Sequence, residues 1–315
     1  MPNHAERDRT RLVLVSGHTF GLRAFEGIFA STAFLDLHLE VALMIGLDET
    51  HAAATVGYQS LAHLAADQAV PFVSTSDGRL ISLAGLIRAA RPDYILVIGW
   101  SALIPDQILL IPAEFASARP TGAGGFGCIG MHPTRLPQGR GQAPIPWTII
   151  KGCTSTALSV FFLEAGADTG PIIVQYDLPV RLRETAASLF YRIAQTHFSA
   201  GLDLAERVAA RHVISQAQDN DSATRWPHRR PRDGAILDTM TCDEVDALVR
   251  GLLGPYPRAF VATADGGCYV RAVERVRDPA DAGVISRRTG DGSECIRFRC
   301  ADGIVVDLIV QPDLD

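Results

Sequence analysis

The segment Asp93–Trp100 (DYILVIGW) is almost unbroken apolar chain of strand length, closed by Gly99. A run so short and so apolar fits a strand covered on both faces. That is the situation of a central strand in a parallel sheet, not of a sheet with one wet face. The preceding chain agrees with this. RLVLV at 11–15 is a short β-rich run ended by Ser16-Gly17, and helical periodicity begins near Gly21. A second run covers Leu37–Leu47, a helix passes through Leu61–Ala66, a strand covers Val70–Val73 and a helix spans Leu80–Ala90. Strands alternating with helices of about ten residues make βαβ units, so the predicted fold class is α/β with a parallel, Rossmann-like sheet.

After Cys128 the chain becomes proline-rich, then apolar again at Ala157–Leu163 and Pro171–Tyr176, and a long helix is predicted from Thr185 to about Arg211. Residues 215–233 (SQAQDNDSATRWPHRRPRD) are polar, with two prolines and an arginine cluster, and read as a linker. Beyond it a helix is expected near Cys242–Leu253. Ile296, Phe298 and Cys300 then alternate with Arg297 and Arg299, the period-two pattern of a half-exposed sheet. The predicted organisation is a domain at 1–212, a linker at 213–232 and a small β-rich domain at 233–315.

Composition excludes several classes. The 315 residues carry 29 Lys+Arg against 35 Asp+Glu, a net charge of −6, which argues against a broad nucleic-acid-binding face. No apolar run reaches the roughly 20 residues that span a bilayer, and MPNHAERDRTR lacks the apolar core of a signal peptide, so no membrane partner is expected. Six cysteines without a CxxC pair fit a reducing cytoplasm rather than a disulfide scaffold or zinc site.

Gly122–Gly127 (GAGGFG) has the letters GxGxxG, but polar ASARPT precedes it and Pro133 soon follows. A dinucleotide fingerprint needs an apolar strand before it and a helix after it, so this segment reads as a surface loop. His132 follows a strand-like segment and precedes a proline, which places it at a strand's C-terminal end, where open α/β sheets bind ligands. Asp168 lies in the glycine-flanked loop EAGADTGP after another apolar strand, a loop able to carry a carboxylate back toward that histidine. Taken alone, the histidine reads first as a satisfied structural residue and the aspartate as a turn former. His18, in SGHTFG after the first strand, is either a substrate contact or an exposed loop residue. Ser159 reads as a packed polar residue. Arg229, Arg230 and Arg232 either meet a phosphate or are solvated.

The stretch from His132 to Ile172 resembles the formyltransferase family that uses 10-formyltetrahydrofolate. His132, Pro133, Leu136, Pro137, Arg140, Gly141 and Pro144 match its N-x-H-P-S-x-L-P-x-x-R-G-x-x-P motif, with Thr134 in place of the serine. Gly166, Asp168, Gly170 and Ile172 match its G-x-D-x-G-x-I element. Trp100, Ser101, Ala102, Leu103 and Ile104 resemble the segment lining the family's folate pocket. The sequences around Arg230–Ile236 and Pro255–Phe260 are similar to the domain, a small β-barrel, appended in methionyl-tRNA and amino-sugar formyltransferases. The resemblance implies formyl transfer from 10-formyltetrahydrofolate to a primary amine of a small metabolite, with a nucleotide-linked amino sugar favoured. It assigns His132 to acid/base and oxyanion roles and Asp168 to orienting it. Arg140 is left between local anchor and substrate-anion contact; no metal is implied, and a homodimer is compatible. Gly130 stands where the family has its catalytic asparagine, so a side-chain donor is missing there. That departure keeps two alternatives in play: a related one-carbon enzyme, acting by formimidoyl or hydroxymethyl transfer or by formyl-folate hydrolysis, and a non-catalytic folate-pocket protein.

Overall fold

The computed structural model describes residues 9–116, 126–263, 266–276, 285–288 and 294–310. Most of the glycine-rich GAGGFG segment lies outside them; its last residue, Gly127, opens a strand. Contacts divide the chain into two compact units: 1–141, 157–178 and 191–225 in the first, and 142–156, 179–190 and 226–315 in the second. The last boundary, between Arg225 and Trp226, lies within the stretch 213–232 read as a linker, and the second unit also takes in two earlier stretches of chain.

The first unit is built on a seven-stranded sheet. Its strands are β1 (Thr10–Val15), β2 (Leu39–Leu47), β3 (Phe72–Thr75), β4 (Tyr94–Ile98), β5 (Gly127–His132), β6 (Ser155–Phe162) and β7 (Ile172–Pro179), in spatial order β3-β2-β1-β4-β5-β6-β7. Pairings from β3 across to β5 are parallel, and β6 joins β5 antiparallel. All five residues of β4 are buried, as its unbroken apolar sequence requires. The run ends at Ile98 because Gly99 turns to φ +64°, a left-handed conformation that glycine adopts without steric cost. The helix expected at Leu80–Ala90 starts as a 3-10 turn at Leu80–Leu83 and becomes α-helical over Ala84–Ala89. The strand expected at 70–73 is β3, two residues later.

Helix α1 (Thr19–Phe29) crosses the long helix α2 (Ala186–Ala209) at very close range. A Cβ on Gly27 would stand 2.1 Å from the Phe198 carbonyl oxygen, and one on Gly201 only 1.9 Å from that of Ala24. The helices meet through bare backbone at these two positions, and no side chain fits there. Beside this contact Phe20 stacks on His197 at 4.4 Å. His197 is fully buried, and its Nδ1–H donates to the Ile193 carbonyl at 2.8 Å.

The second unit holds a five-stranded antiparallel sheet of β8 (Phe260–Thr263), β9 (Gly266–Arg275), β10 (Ile285–Arg288), β11 (Glu294–Arg299) and β12 (Val305–Val310), ordered β8-β9-β12-β11-β10. Helix α3 (Cys242–Gly251) begins with a capping box between Thr241 and Glu244, and its apolar stripe Val245, Leu248 and Val249 shares a core with Val270, Val306 and Leu308. Among the described residues β8 and β10 are the sheet's outer strands, and the segments on either side of β10 lie outside those residues. Helix α3 covers one face, so burial does not depend on closing the sheet. Also among the described residues, no helix is long and apolar enough to cross a membrane, and the six cysteines are free.

Burial lowers the pKa of His197 to about 3 and that of His18, at the start of α1, to about 4. The unfolded chain takes up these protons below about pH 6.5, whereas the fold keeps both rings neutral. Stability is therefore full above pH 6.5 and declines as the pH falls toward 4. At pH 5 His197 alone accounts for about 2 kcal/mol of that decline. Urea unfolding of His197→Phe, which keeps the stack on Phe20, is expected to lose about that much less between pH 7.5 and 5 than the wild type. Equal losses would remove this explanation.

Candidate active site

The sheet's strand order reverses between β1 and β4, so a crevice opens outside the carboxyl ends of these neighbours. Gly17-His18 leaves β1 at this edge, Gly99–Ile104 leaves β4, and His132 ends β5. The sequence argument placed all three at strand ends, and the structure puts them along one rim.

His132 is buried, and its Nε2 lies 2.9 Å from the Gly139 carbonyl oxygen. A carbonyl can only accept, so Nε2 carries the hydrogen and Nδ1 is the nitrogen left to gain or lose a proton. Nδ1 faces Asp168 Oδ1 at 3.8 Å. That distance is longer than a hydrogen bond, and such contacts commonly tighten when a substrate closes the site. The other carboxylate oxygen of Asp168 accepts from the Gly141 backbone N–H at 2.8 Å. Asp168 itself sits at φ +58°, in the left-handed region that aspartate visits more readily than most residues. The glycine two residues on is required as well, since a Cβ on Gly170 would fall 1.8 Å from the Phe162 carbonyl oxygen.

The loop from His132 to Gly141 is held from several sides. Ser159 is fully buried. Its hydroxyl donates to the Thr134 carbonyl at 2.6 Å and accepts from Leu136 N–H at 3.2 Å and from Gln175 Nε2 at 2.8 Å. Ser159 is thus the packed polar residue that the sequence suggested. Gly139 N–H donates to Thr224 Oγ1 at 2.9 Å, and Arg140 N–H to the Thr224 carbonyl at 3.0 Å. The Arg140 guanidinium forks onto Gln218 Oε1 (3.1 and 2.7 Å) and reaches Asn220 Oδ1 at 2.8 Å. These contacts tie the arginine to the segment after α2. Gln218 then donates through Nε2 to the carbonyls of Asp168 (2.9 Å) and Gly170 (2.7 Å), joining the histidine loop to the aspartate loop. Gln218 and Thr224 belong to the stretch read as a linker. Nothing local in the sequence marks them, because their partners lie some 50 to 85 residues away.

His18 also has a structural task. Its Nδ1 caps α1 by accepting from Phe20 N–H at 3.0 Å, and burial keeps its ring neutral. At Trp100–Ile104 the chain is a loop. Trp100 and Ile104 pack on the apolar cluster that includes Val97 and Cys128, whereas Leu103 is 67% exposed. Among the described residues, the backbone N–H groups of Ser101 to Ile104 have no backbone partner. Free amides beside apolar side chains suit a flat heterocycle with polar edges. The described residues hold no cluster of three or more metal-ligating side chains.

The formyl transferase family profile matches residues 62–202. A methionyl-tRNA formyltransferase of Geotalea uraniireducens is 27% identical over 243 residues, covering 77% of this chain and 72% of that protein. Two crystal structures show the same fold. One, a sugar 3N-formyl transferase solved in the presence of dTDP and 5-N-formyl-THF, superposes with a TM-score of 0.63 at 14% identity over 98% of this chain and 99% of its own. The other, an N-formyltransferase from Helicobacter canadensis in complex with folinic acid and dTDP-3-aminofucose, gives 0.62 at 14% identity over 96% and 100%.

Replacing Gln218 by Ala is expected to loosen the aspartate loop while leaving the sheet intact. The Gly141 amide should exchange its hydrogen at least about tenfold faster, equivalent to losing roughly 1.4 kcal/mol of local protection. Hydrogen-exchange mass spectrometry would read this directly. Unchanged protection over 139–141 and 166–170 would show that Gln218 does not hold the two loops.

Proposed function

We propose that this chain, whose residues 62–202 match the formyl transferase family, is a one-carbon transferase that moves a formyl group from 10-formyltetrahydrofolate to the primary amine of a small metabolite, with a nucleotide-linked amino sugar as the favoured acceptor. The observation carrying this reading is the proton relay at the crevice, in which a buried His132 has one nitrogen committed to Gly139 and the other turned to Asp168.

When bound, the formyl folate supplies an electrophilic carbonyl carbon and a nitrogen leaving group. The new C–N bond forms to the acceptor amine, the old C–N bond breaks, and one proton passes from the acceptor nitrogen to the leaving nitrogen. His132 Nδ1 is the group placed to carry that proton, as base and then as acid. Asp168 favours the imidazolium while it exists and, being fixed by Gly141 N–H, holds the ring's second nitrogen in register. The Trp100–Ile104 loop offers free amides to the pterin edge and apolar contacts to its faces. Arg140 and Gln218 support the loops and leave the chemistry to others.

The acceptor separates two readings. The curated relatives are named for methionyl-tRNA, whereas the two superposed structures are named for sugars. The net charge of −6 supports the small acceptor, since a tRNA-binding surface gains from positive charge. The deciding experiment incubates the protein with 10-formyltetrahydrofolate and either dTDP-linked amino sugars or methionyl-tRNA. Formylated amino sugar detected by mass supports the reading, and formylation of methionyl-tRNA alone overturns it.

His132→Ala and Asp168→Asn are each expected to cut turnover by at least about 10²-fold, the usual range for acid/base groups being roughly 10²–10⁴. Because the two act as one unit, the double variant should lose little more than the worse single variant. Near-normal turnover in either single variant would remove that residue from the mechanism.

A further inference from the structure

Gly130 lies in the middle of β5, one side-chain repeat before His132 and on the same face of the sheet. Across the antiparallel pair it stands opposite Phe161, as His132 stands opposite Ser159. The space beside Gly130 is filled. A Cβ built there would lie 2.6 Å from Leu163 Cδ2, 3.3 Å from Leu163 Cγ and 3.5 Å from Phe161 Cζ. Leu163 is itself held, since its N–H donates to the Cys128 carbonyl at 2.8 Å and its side chain packs on the cluster that Trp100 and Ile104 also join. The φ of Gly130 is not positive, so glycine is not required there by the backbone. A side chain there would need Leu163 to turn its terminal methyl aside.

We infer that Leu163 is a specificity-determining residue of the site, matched to Gly130. Its isobutyl group occupies the volume in which a side chain at 130, one side-chain repeat from His132, would stand, so a hydrogen-bond donor introduced there has to displace it. The inference rests on the formyl-transfer reading for its catalytic consequence and on packing alone for its structural one. On this face of the sheet the negative charge developing on the carbonyl oxygen is then met by His132 without help from a side chain at 130. Restoring such a donor needs two changes, one to supply it and one to vacate its space.

The test is a cycle of Gly130→Asn, Leu163→Ala and the double variant in the full chain, read by thermal midpoint and by formyl transfer from 10-formyltetrahydrofolate to the acceptor found above. Gly130→Asn alone is expected to lower the midpoint by several degrees and to slow transfer, because the carboxamide is forced against Leu163. In the Leu163→Ala background the same substitution should cost little or no midpoint. The double variant should also transfer at least about tenfold faster than Leu163→Ala alone, within the 10²–10³ typical of one oxyanion donor. Equal midpoint losses in both backgrounds would overturn the inference whatever the rates. Coupled midpoints with no rate gain in the double variant would overturn the donor-space assignment. Coupled midpoints with no formyl transfer in any of the four proteins, wild type included, would sustain the packing claim and overturn the functional reading beneath it.

Discussion

The hydrogen bond from His132 Nε2 to the Gly139 carbonyl governs the chemistry available to this site. Because the carbonyl cannot donate, it fixes which imidazole nitrogen carries hydrogen and which remains to titrate. The bond exists only if the chain doubles back over seven residues, and Gly139 and Gly141 allow this at φ +72° and +109°. It persists only if that loop is held, by Ser159 and Gln175 from the sheet and by Thr224 and Gln218 from the segment after α2. The His132 loop and the Asp168 loop are therefore tied through a third, distant part of the chain. Gln218 touches both the arginine of one loop and the carbonyls of the other, so a disturbance in either loop reaches the His132–Asp168 distance.

Three imidazoles of the same unit show how placement decides role. His197 has no carboxylate partner and is fully enclosed, so desolvation drives it neutral and it serves as a flat packing element against Phe20. His18 is also kept neutral by burial. Its Nδ1 lone pair is used by the first turn of α1 and its side chain is pressed against Gly99, where a Cβ would come within 2.6 Å of the His18 Cβ and 2.9 Å of the ring's Cγ. His132 differs in having an oxygen anion within reach of its free nitrogen. Among these three rings it is His132 that faces a carboxylate.

Much of the sheet was legible because its signals are local. The burial of β4 could be read from DYILVIGW, and the end of β5 from a histidine followed by a proline. The glycines around Asp168 announced a tight turn, and the structure shows why Gly170 admits no side chain. The anchoring role of residues 216–224 was hidden. Polar, proline-containing sequence signals a lack of apolar burial, and these residues are fixed by hydrogen bonds to distant backbone, which leave no periodic trace. The strand arrangement of the second unit was not legible for a related reason. The alternation of Ile296 and Phe298 with arginines reports one buried face, and a sheet backed by α3 and a closed barrel both satisfy it.

The wall formed by Leu163 and Phe161 bears on how a site lacking a side-chain donor at 130 can still work. Losing one oxyanion donor typically costs about 2.7–4 kcal/mol when nothing else changes. Replacing it with apolar atoms changes something else, because a group that excludes water lowers the local dielectric, and a charge–charge or charge–dipole interaction strengthens as the dielectric falls. Two charges about 4 Å apart gain roughly four times more at an effective dielectric near 20 than in bulk water. The attraction between the imidazolium of His132 and a developing oxyanion is therefore stronger beside an isobutyl group than beside a hydrated gap. A glycine with an open cavity would lose the donor and admit water in its place. On the formyl-transfer reading proposed above, a glycine covered by leucine leaves His132, with Asp168 facing it, as the group nearest the developing charge.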